Sequence, residues 1–412
     1  METSVRQPLD RVRILDFTIM MQGPHATQML ADLGADVIKV ERPGNLGGPS
    51  GHPDERYGPH GGYSQRPEEN TFYASSFLAH NRNKKSITID LKKERGREII
   101  RRLIKTSDVV YENFRPDVMP RLGFGYADCC ALNPSIIYAS ATGYGPDGPY
   151  VDRPGQDLLV QSLTGLAAMN AVPDGRPLPV PFAMMDLLGA AYGAYGVLAA
   201  LYHRQQTGEG QQVNVCLLNS GIAALSEVAF HFLNTGSAPD RGTPMHGTPY
   251  LPPPYAIHKT KDGYLSISGS RSAPTLLKIL GLGHLLDDPR FNTFWTRLEN
   301  RAELEAVMDA ALQHKTTAEW LALLREADLW ASPVNTLAEA VTDPQVLHNE
   351  MVVTVDSPVG PLKMPGIPYK LSKTPAQVRS APPLLGQHTE EVLGQLGYGP
   401  EELAQLRQEQ VI

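Results

Sequence analysis

Cysteine is scarce in this chain: Cys129, Cys130 and Cys216 are the only three in 412 residues. An odd number with two adjacent in sequence makes a poor disulfide framework. A reducing compartment, and with it a cytoplasmic location, is the natural expectation. Positive charge is in deficit as well. A net charge of −7 gives no long-range attraction to nucleic acid or to an anionic membrane, so neither is expected as a partner. Any anionic ligand must be held by local cations. The first ten residues lack the basic segment and apolar core of a signal peptide. The longest apolar stretch, 187–201, falls short of the ~20 residues that span a bilayer, and reads as a buried helix. Serine-nucleophile elbows, H-E-x-x-H helices and cysteine pairs at zinc spacing are all missing, which leaves hydrolase and metal chemistry without a motif. No bound metal is expected.

What is present is an ordinary globular composition, 42% hydrophobic and 20% charged, over a length that favours two folding units. Strand and helix signals alternate through the first third: a strand over 12–17, a helix over 24–33 opened by Pro24 and closed by Gly34, and a strand over 36–41. Further strands follow over 86–90, 109–112 and 135–142, with a charged amphipathic helix over 94–105. This alternation predicts an α/β fold with a Rossmann-like, doubly wound parallel sheet. A long helix of small and apolar residues starts at Asp186 and stops before Gly208, and a strand over 212–216 follows.

Two loops interrupt the pattern. Residues 44–69 are rich in Gly, Pro, His and charge, and form either a cover over a site or a plain solvent loop. Residues 238–254 are dense in Gly and Pro, hold little that could be core, and mark a boundary or a substrate loop. A smaller α+β unit is expected over 221–329, with a strand over 264–268. Its helix over 301–314 carries Leu304, Val307, Met308, Ala311 and Leu312 at the spacing of a core stripe. The larger, discontinuous domain would then comprise 1–220 and 330–412.

Chemistry concentrates at strand ends and helix starts. The turn Thr18-Ile19-Met20-Met21-Gln22-Gly23-Pro24 sits where a doubly wound fold presents helix amides to a nucleotide, although it lacks G-x-G-x-x-G. Arg42, Lys84, Lys85, Lys92, Arg115 and Arg121 are cations able to hold phosphate. Asp186 interrupts an apolar run, which costs several kcal/mol unless it is paired, and reads either as a functional carboxylate or as a helix N-cap. Asp157, also ahead of an apolar helix, reads first as an N-cap.

Several of these segments, in order, make the chain resemble the family III CoA-transferases, also called the CaiB/BaiF family. They are Val12-Arg13-Ile14-Leu15-Asp16-Phe17, Asn83-Lys84-Lys85-Ser86, Glu112-Asn113-Phe114-Arg115-Pro116 and Pro383-Leu384-Leu385-Gly386-Gln387-His388-Thr389. Among described members the chain looks like formyl-CoA transferase, with no implication for its substrate. The resemblance implies an interlocked homodimer and an Asp186 nucleophile that forms aspartyl anhydride and aspartyl-CoA thioester intermediates. It further implies Gln156 and Asp157 at the thioester end, and Met20, Met21, Arg42, Ile89, Lys92, Asn113, Phe114, Arg115 and Arg121 against CoA. Acyl-CoA and a small carboxylic acid are then the substrates, and no tightly bound cofactor is implied. The family also contains racemases, which place a titratable His where this chain has Gln156. A carboxamide cannot exchange an alpha proton near neutral pH, so the resemblance favours CoA transfer over an α-methylacyl-CoA racemase or epimerase. A CoA-binding subunit that needs a homologous partner is the other alternative.

Overall fold

The computed structural model describes residues 6–43, 62–63, 73–172, 175–240, 242–357 and 360–412. The cover-or-solvent reading of 44–69 lies outside the described residues, apart from a strand at Gly62–Tyr63 paired with Tyr73–Ala74. The chain forms two compact units: residues 1–164, 180–224 and 344–412 in the larger, and residues 165–179 and 225–343 in the smaller.

The larger unit is built on β1 (Arg13–Asp16), α1 (Gln22–Asp32), β2 (Asp36–Glu41), β3 (Lys84–Thr88), α2 (Glu94–Lys105), β4 (Val109–Glu112), β5 (Ile137–Thr142), α3 (Asp157–Leu163), α4 (Met184–Thr207) and β6 (Gln212–Cys216). All six strands pair in parallel, in the order β3-β2-β1-β4-β5-β6. This is the doubly wound arrangement that the alternation predicts. Strands buried on both faces read as apolar runs, and Ile137–Thr142 is buried at every position. One face packs Ile99, Ile100, Leu103 and Ile104 of α2 on the sheet, the other Leu30 of α1 and Ala190, Ala194 and Val197 of α4.

Helix α4 is the one described helix long and apolar enough to cross a membrane. Its buried stripe of Gly189, Gly193, Ala194 and Val197 lies instead against α1 and the sheet. Close approach is the reason for the glycines. A Cβ on Gly193 would stand 2.0 Å from the Tyr111 hydroxyl.

The edge strand β3 is covered by the chain's tail, a common protection against edge pairing. Ser86 N–H donates to His388 Nδ1 at 3.2 Å, Thr88 N–H to Thr389 Oγ1 at 3.0 Å, and Asp90 N–H to the Val411 carbonyl at 2.7 Å. These are alternate residues, so the edge amides from Ser86 to Asp90 are satisfied.

Lys84 and Lys85 do not reach for phosphate. Lys85 pairs with Asp36 at 3.2 Å and Glu391 at 3.0 Å. Lys84 Nζ lies 2.9 Å from Asp16 Oδ2, both side chains fully sealed, and also donates to the Pro24 carbonyl and Asn81 Oδ1. Asp16 further accepts from the Thr18 amide at 2.8 Å and the Thr27 hydroxyl at 2.7 Å. A burial position overrides surface chemistry here, because an ammonium without water needs fixed acceptors.

In the smaller unit, α5 (Ser226–Thr235) precedes the antiparallel strands β7 (Tyr255–Lys259), β8 (Tyr264–Ser268) and β9 (Ala331–Pro333), ordered β9-β8-β7. Helix α6 (Arg301–Leu312) buries Leu304, Met308 and Leu312, as its spacing predicts, with Val307 and Ala311 partly buried beside them. The loop over 238–254 corrects the expectation that it holds little core. His246 is 1% exposed, its Nδ1 bonded to Glu305 of α6 and its Nε2 to the Leu251 carbonyl at 2.6 Å, and Pro252, Pro253 and Pro254 are buried. A buried imidazole with two partners acts as core.

Asp16→Asn leaves the Lys84 ammonium buried without its counter-charge. A loss of about 3–5 kcal/mol in denaturant unfolding of the larger unit is expected. Burial alone would raise the Asp16 pKa, but Lys84, Lys39 and the Thr18 hydroxyl outweigh it and hold it at about 2, below the ordinary 3.8. Its stabilising contribution is therefore complete above about pH 4 and disappears as pH falls through about 2, which an acid unfolding series reads directly.

Candidate active site

The sheet order reverses direction between β1 and β4, and ligands of such sheets bind outside the carboxyl ends of the strands at that point. There the structure has a cleft of about 510 Å³. Arg42, Ile89, Lys92 and Phe114, four of the positions carried by the resemblance, line it together with Thr18, Ile19 and Lys39. Asn113 supports the adjoining turn. Its Oδ1 accepts from the Ile19 amide and its Nδ2 donates to the Ile19 carbonyl, each at 2.7 Å, so one side chain replaces a strand partner. Met20 and Met21 continue this turn into α1. Met20 adopts φ +62° and is largely exposed, a left-handed conformation uncommon for a non-glycine residue. Arg115 and Arg121 are not part of the cleft lining. Arg115 is exposed on the segment after β4, and Arg121 turns to Asp117 at 3.0 Å with both side chains in solvent.

Lys39 lies in the cleft wall although spacing did not single it out. It is 2% exposed, and its Nζ donates to the Thr18 carbonyl at 2.6 Å. The available signal was a lysine inside the buried strand Val37-Ile38-Lys39-Val40, where a charge requires a reason. Glu112, at the end of β4, is another buried acid. Burial pushes its carboxyl up to about 7, against bonds from Ser140 and the Phe114 amide.

Asp157 and Asp186 come together, but neither is the N-cap of its own helix. Gln156 holds the cap position of α3, exposed and with no side-chain capping bond, and Asp157 is the first helical residue. Ala183 caps α4, and Asp186 stands in its first turn. Asp157 Oδ2 instead accepts from the backbone amides of Met185 and Asp186, at 2.6 and 3.1 Å. One helix thus supplies the cap of another, satisfying two of the four amides a helix start leaves open. Gln161 fixes the orientation, donating from Nε2 to Asp157 Oδ1 at 2.5 Å while its Oε1 accepts from the Val180 amide at 2.8 Å. Its i+4 spacing from Asp157 was a readable signal.

Partial burial, and after it the neighbouring Asp157 charge, push the Asp186 carboxyl up to about 7. Among the described residues its oxygens accept no hydrogen bond. The result is a carboxylate with little stabilisation by solvent or partners, a condition that favours attack on an electrophile.

A doubly wound sheet with an open cleft at its switch point and an acid pair at a helix start is the layout of an α/β enzyme for nucleotide-bearing ligands. Comparison with known proteins makes the class specific. Residues 9–389 match the model of CoA-transferase family III. The chain is 38% identical to the succinyl-CoA:glutarate CoA-transferase of Mus musculus, over 94% of this chain and 86% of the mouse protein. It is 34% identical to the succinate–glutarate CoA-transferase of Agrobacterium fabrum, over 95% of this chain and 96% of that one. A crystal structure of a CaiB/BaiF family protein from Brucella suis superposes with a TM-score of 0.82 at 31% identity, covering 95% of this chain and 100% of that one. The chain belongs to CoA-transferase family III, and is an enzyme that moves CoA between acyl-CoA thioesters and carboxylic acids.

Removing the capping carboxylate should separate its two effects. Asp157→Ala is expected to cost about 1 kcal/mol of stability through the lost cap. It should also move the Asp186 titration below about 7, since a repelling charge is gone. Carbon-13 NMR of aspartate-labelled protein reads this midpoint, and an unmoved midpoint would contradict the assigned electrostatics.

Proposed function

We propose that Asp186 carries CoA between donor and acceptor as a covalent aspartyl intermediate. Its carboxylate attacks the thioester carbonyl of the donor, forming a mixed anhydride and releasing CoA thiolate. The thiolate then attacks Asp186 Cγ, giving an aspartyl-CoA thioester and freeing the donor acid. The acceptor carboxylate attacks that thioester, re-forming an anhydride and thiolate, and thiolate attack on the acceptor acyl carbon yields the new acyl-CoA and regenerates Asp186. Charge and atoms balance at every step without a proton donor. Splitting the exchange in this way replaces one difficult step by easier ones and holds CoA as a covalent thioester between half-reactions.

The observation that carries the reading is the state of Asp186: partly buried, accepting no bond among the described residues, and fixed at the start of a helix by Asp157. Gln156 supports transfer over racemisation, as an exposed carboxamide that cannot titrate. The cleft holding Arg42, Ile89, Lys92 and Phe114 is the site we assign to the nucleotide end of CoA. The relatives' names point to succinyl-CoA as donor and a short dicarboxylic acid as acceptor.

We also propose that a second copy of the chain completes the enzyme as an interlocked homodimer. Helix α5 buries none of its residues within the chain, and Phe230, Phe232 and Leu233 on it are 52–81% exposed. An apolar surface of that density is ordinarily covered. Light scattering on a sizing column should give twice the monomer mass.

A screen of acyl-CoA donors against mono- and dicarboxylates, read by mass on both CoA products, tests the activity. Asp186→Asn should abolish exchange, by at least about 10⁴-fold, as loss of a covalent nucleophile does. Wild-type protein incubated with donor should show a CoA-sized mass increase that Asp186→Asn lacks. Full exchange by the variant would end the covalent reading. Because attack requires the carboxylate, kcat/KM should climb with pH and level off above about 7. The same raised pKa means the folded state holds a proton the unfolded state gives up, so Asp186 costs stability increasingly as pH rises from about 4 to about 7. Asp186→Asn should therefore melt several degrees higher at pH 8.

A further inference from the structure

Gln22, the first residue of α1, has no place in the chemistry described so far. Its side chain is 4% exposed, and its Nε2 is sealed from solvent with no hydrogen-bond partner among the described residues. A buried amide donor left unmade costs about 1–3 kcal/mol, so an orphan of this kind calls for a partner.

Its direction is legible from α4. A Cβ on Gly189 would stand 2.5 Å from Gln22 Nε2 and 3.2 Å from its Cδ, so the carboxamide lies flat on the helix where a side chain would begin. Helical Cβ atoms tilt toward the N-terminus, and that position therefore overlies the preceding turn, which contains Met185 and Asp186. Asp186, Gly189 and Gly193 follow one another at i, i+3 and i+7 on a single stripe, with neighbouring Cβ positions about 5–6 Å apart. The orphan donor thus packs on the helix one turn from the residue whose carboxylate accepts no bond. The charged neighbour acting on Asp186 is Asp157, whose own oxygens are engaged with the Met185 and Asp186 amides and with Gln161.

We propose that the Gln22 carboxamide becomes the hydrogen-bond donor to the Asp186 carbonyl oxygen once that carboxyl is converted to the anhydride or thioester. Thiolate attack on Asp186 Cγ places negative charge on this oxygen, and a fixed donor in a site shielded from water stabilises that charge as an oxyanion hole does. This inference rests on Asp186 being the nucleophile.

Gln22→Met keeps length and volume but removes the donor. At saturating donor and acceptor its kcat should fall at least about tenfold, with KM for acyl-CoA changed by less than about twofold. Gly189→Ala, whose methyl displaces Nε2, should lower kcat in the same way, and serves if Gln22→Met does not fold. Unchanged kcat in either folded variant would overturn the proposal. Exchange persisting in Asp186→Asn would instead remove the nucleophile reading, whatever Gln22 does. An inactive Asp186→Asn beside fully active Gln22→Met would remove the donor alone.

Discussion

The buried ion pair between Asp16 and Lys84 is the constraint from which the larger unit is arranged. It ties the end of β1 to β3 across β2, and through Thr27 and the Pro24 carbonyl it ties both strands to the first turns of α1. Desolvating two charges is costly, and the pair persists because each one's remaining valences are filled by fixed groups. The consequence is geometric. With α1 held at its start, Gln22 lies on Gly189 of α4, and the first turn of α4 carries Asp186. The pair thus helps fix the start of α1 against the helix that carries the Asp186 carboxylate.

At Asp186, the helix cap and the carboxylate charge oppose each other. Asp157 lowers the energy of the fold by capping α4 and raises the energy of ionised Asp186 by repulsion. The same two oxygens do both. Had Asp186 capped its own helix, its lone pairs would have been bound to amides. Moving the cap to α3 leaves Asp186 rigid in backbone and unengaged in side chain, a combination hard to obtain from a single residue.

The sheet was readable because its signals are local. Apolar strands, an amphipathic α2 and a glycine stop after α4 each depend on a few consecutive residues, and the strands at 36–41, 109–112 and 212–216 have the bounds their patterns predict. The acid pair was half readable. Composition marks Asp157 and Asp186 as carboxylates before apolar helices, but which amides they meet depends on contacts 28 and 29 residues apart in sequence. His246 and Glu305, 59 positions apart, escaped notice for the same reason: a loop rich in Gly and Pro does not look like core until its partner helix is in place.

Cations show most clearly what sequence leaves open. Arg42, Lys84, Lys85 and Arg121 look alike as candidates for phosphate, and depth alone separates them. Lys84 is at zero exposure and is held by three acceptors; Lys85 bridges two acids; Arg121 is turned to a neighbouring Asp in solvent, where a pair is worth little. Arg42 remains on the cleft wall with Lys92. Both stand beyond the carboxyl ends of β2 and β3, where doubly wound sheets bind ligands. Lys39 adds a third positive group to the same wall, buried and fixed by the Thr18 carbonyl, so that the turn before α1 and the cleft are set by one ammonium.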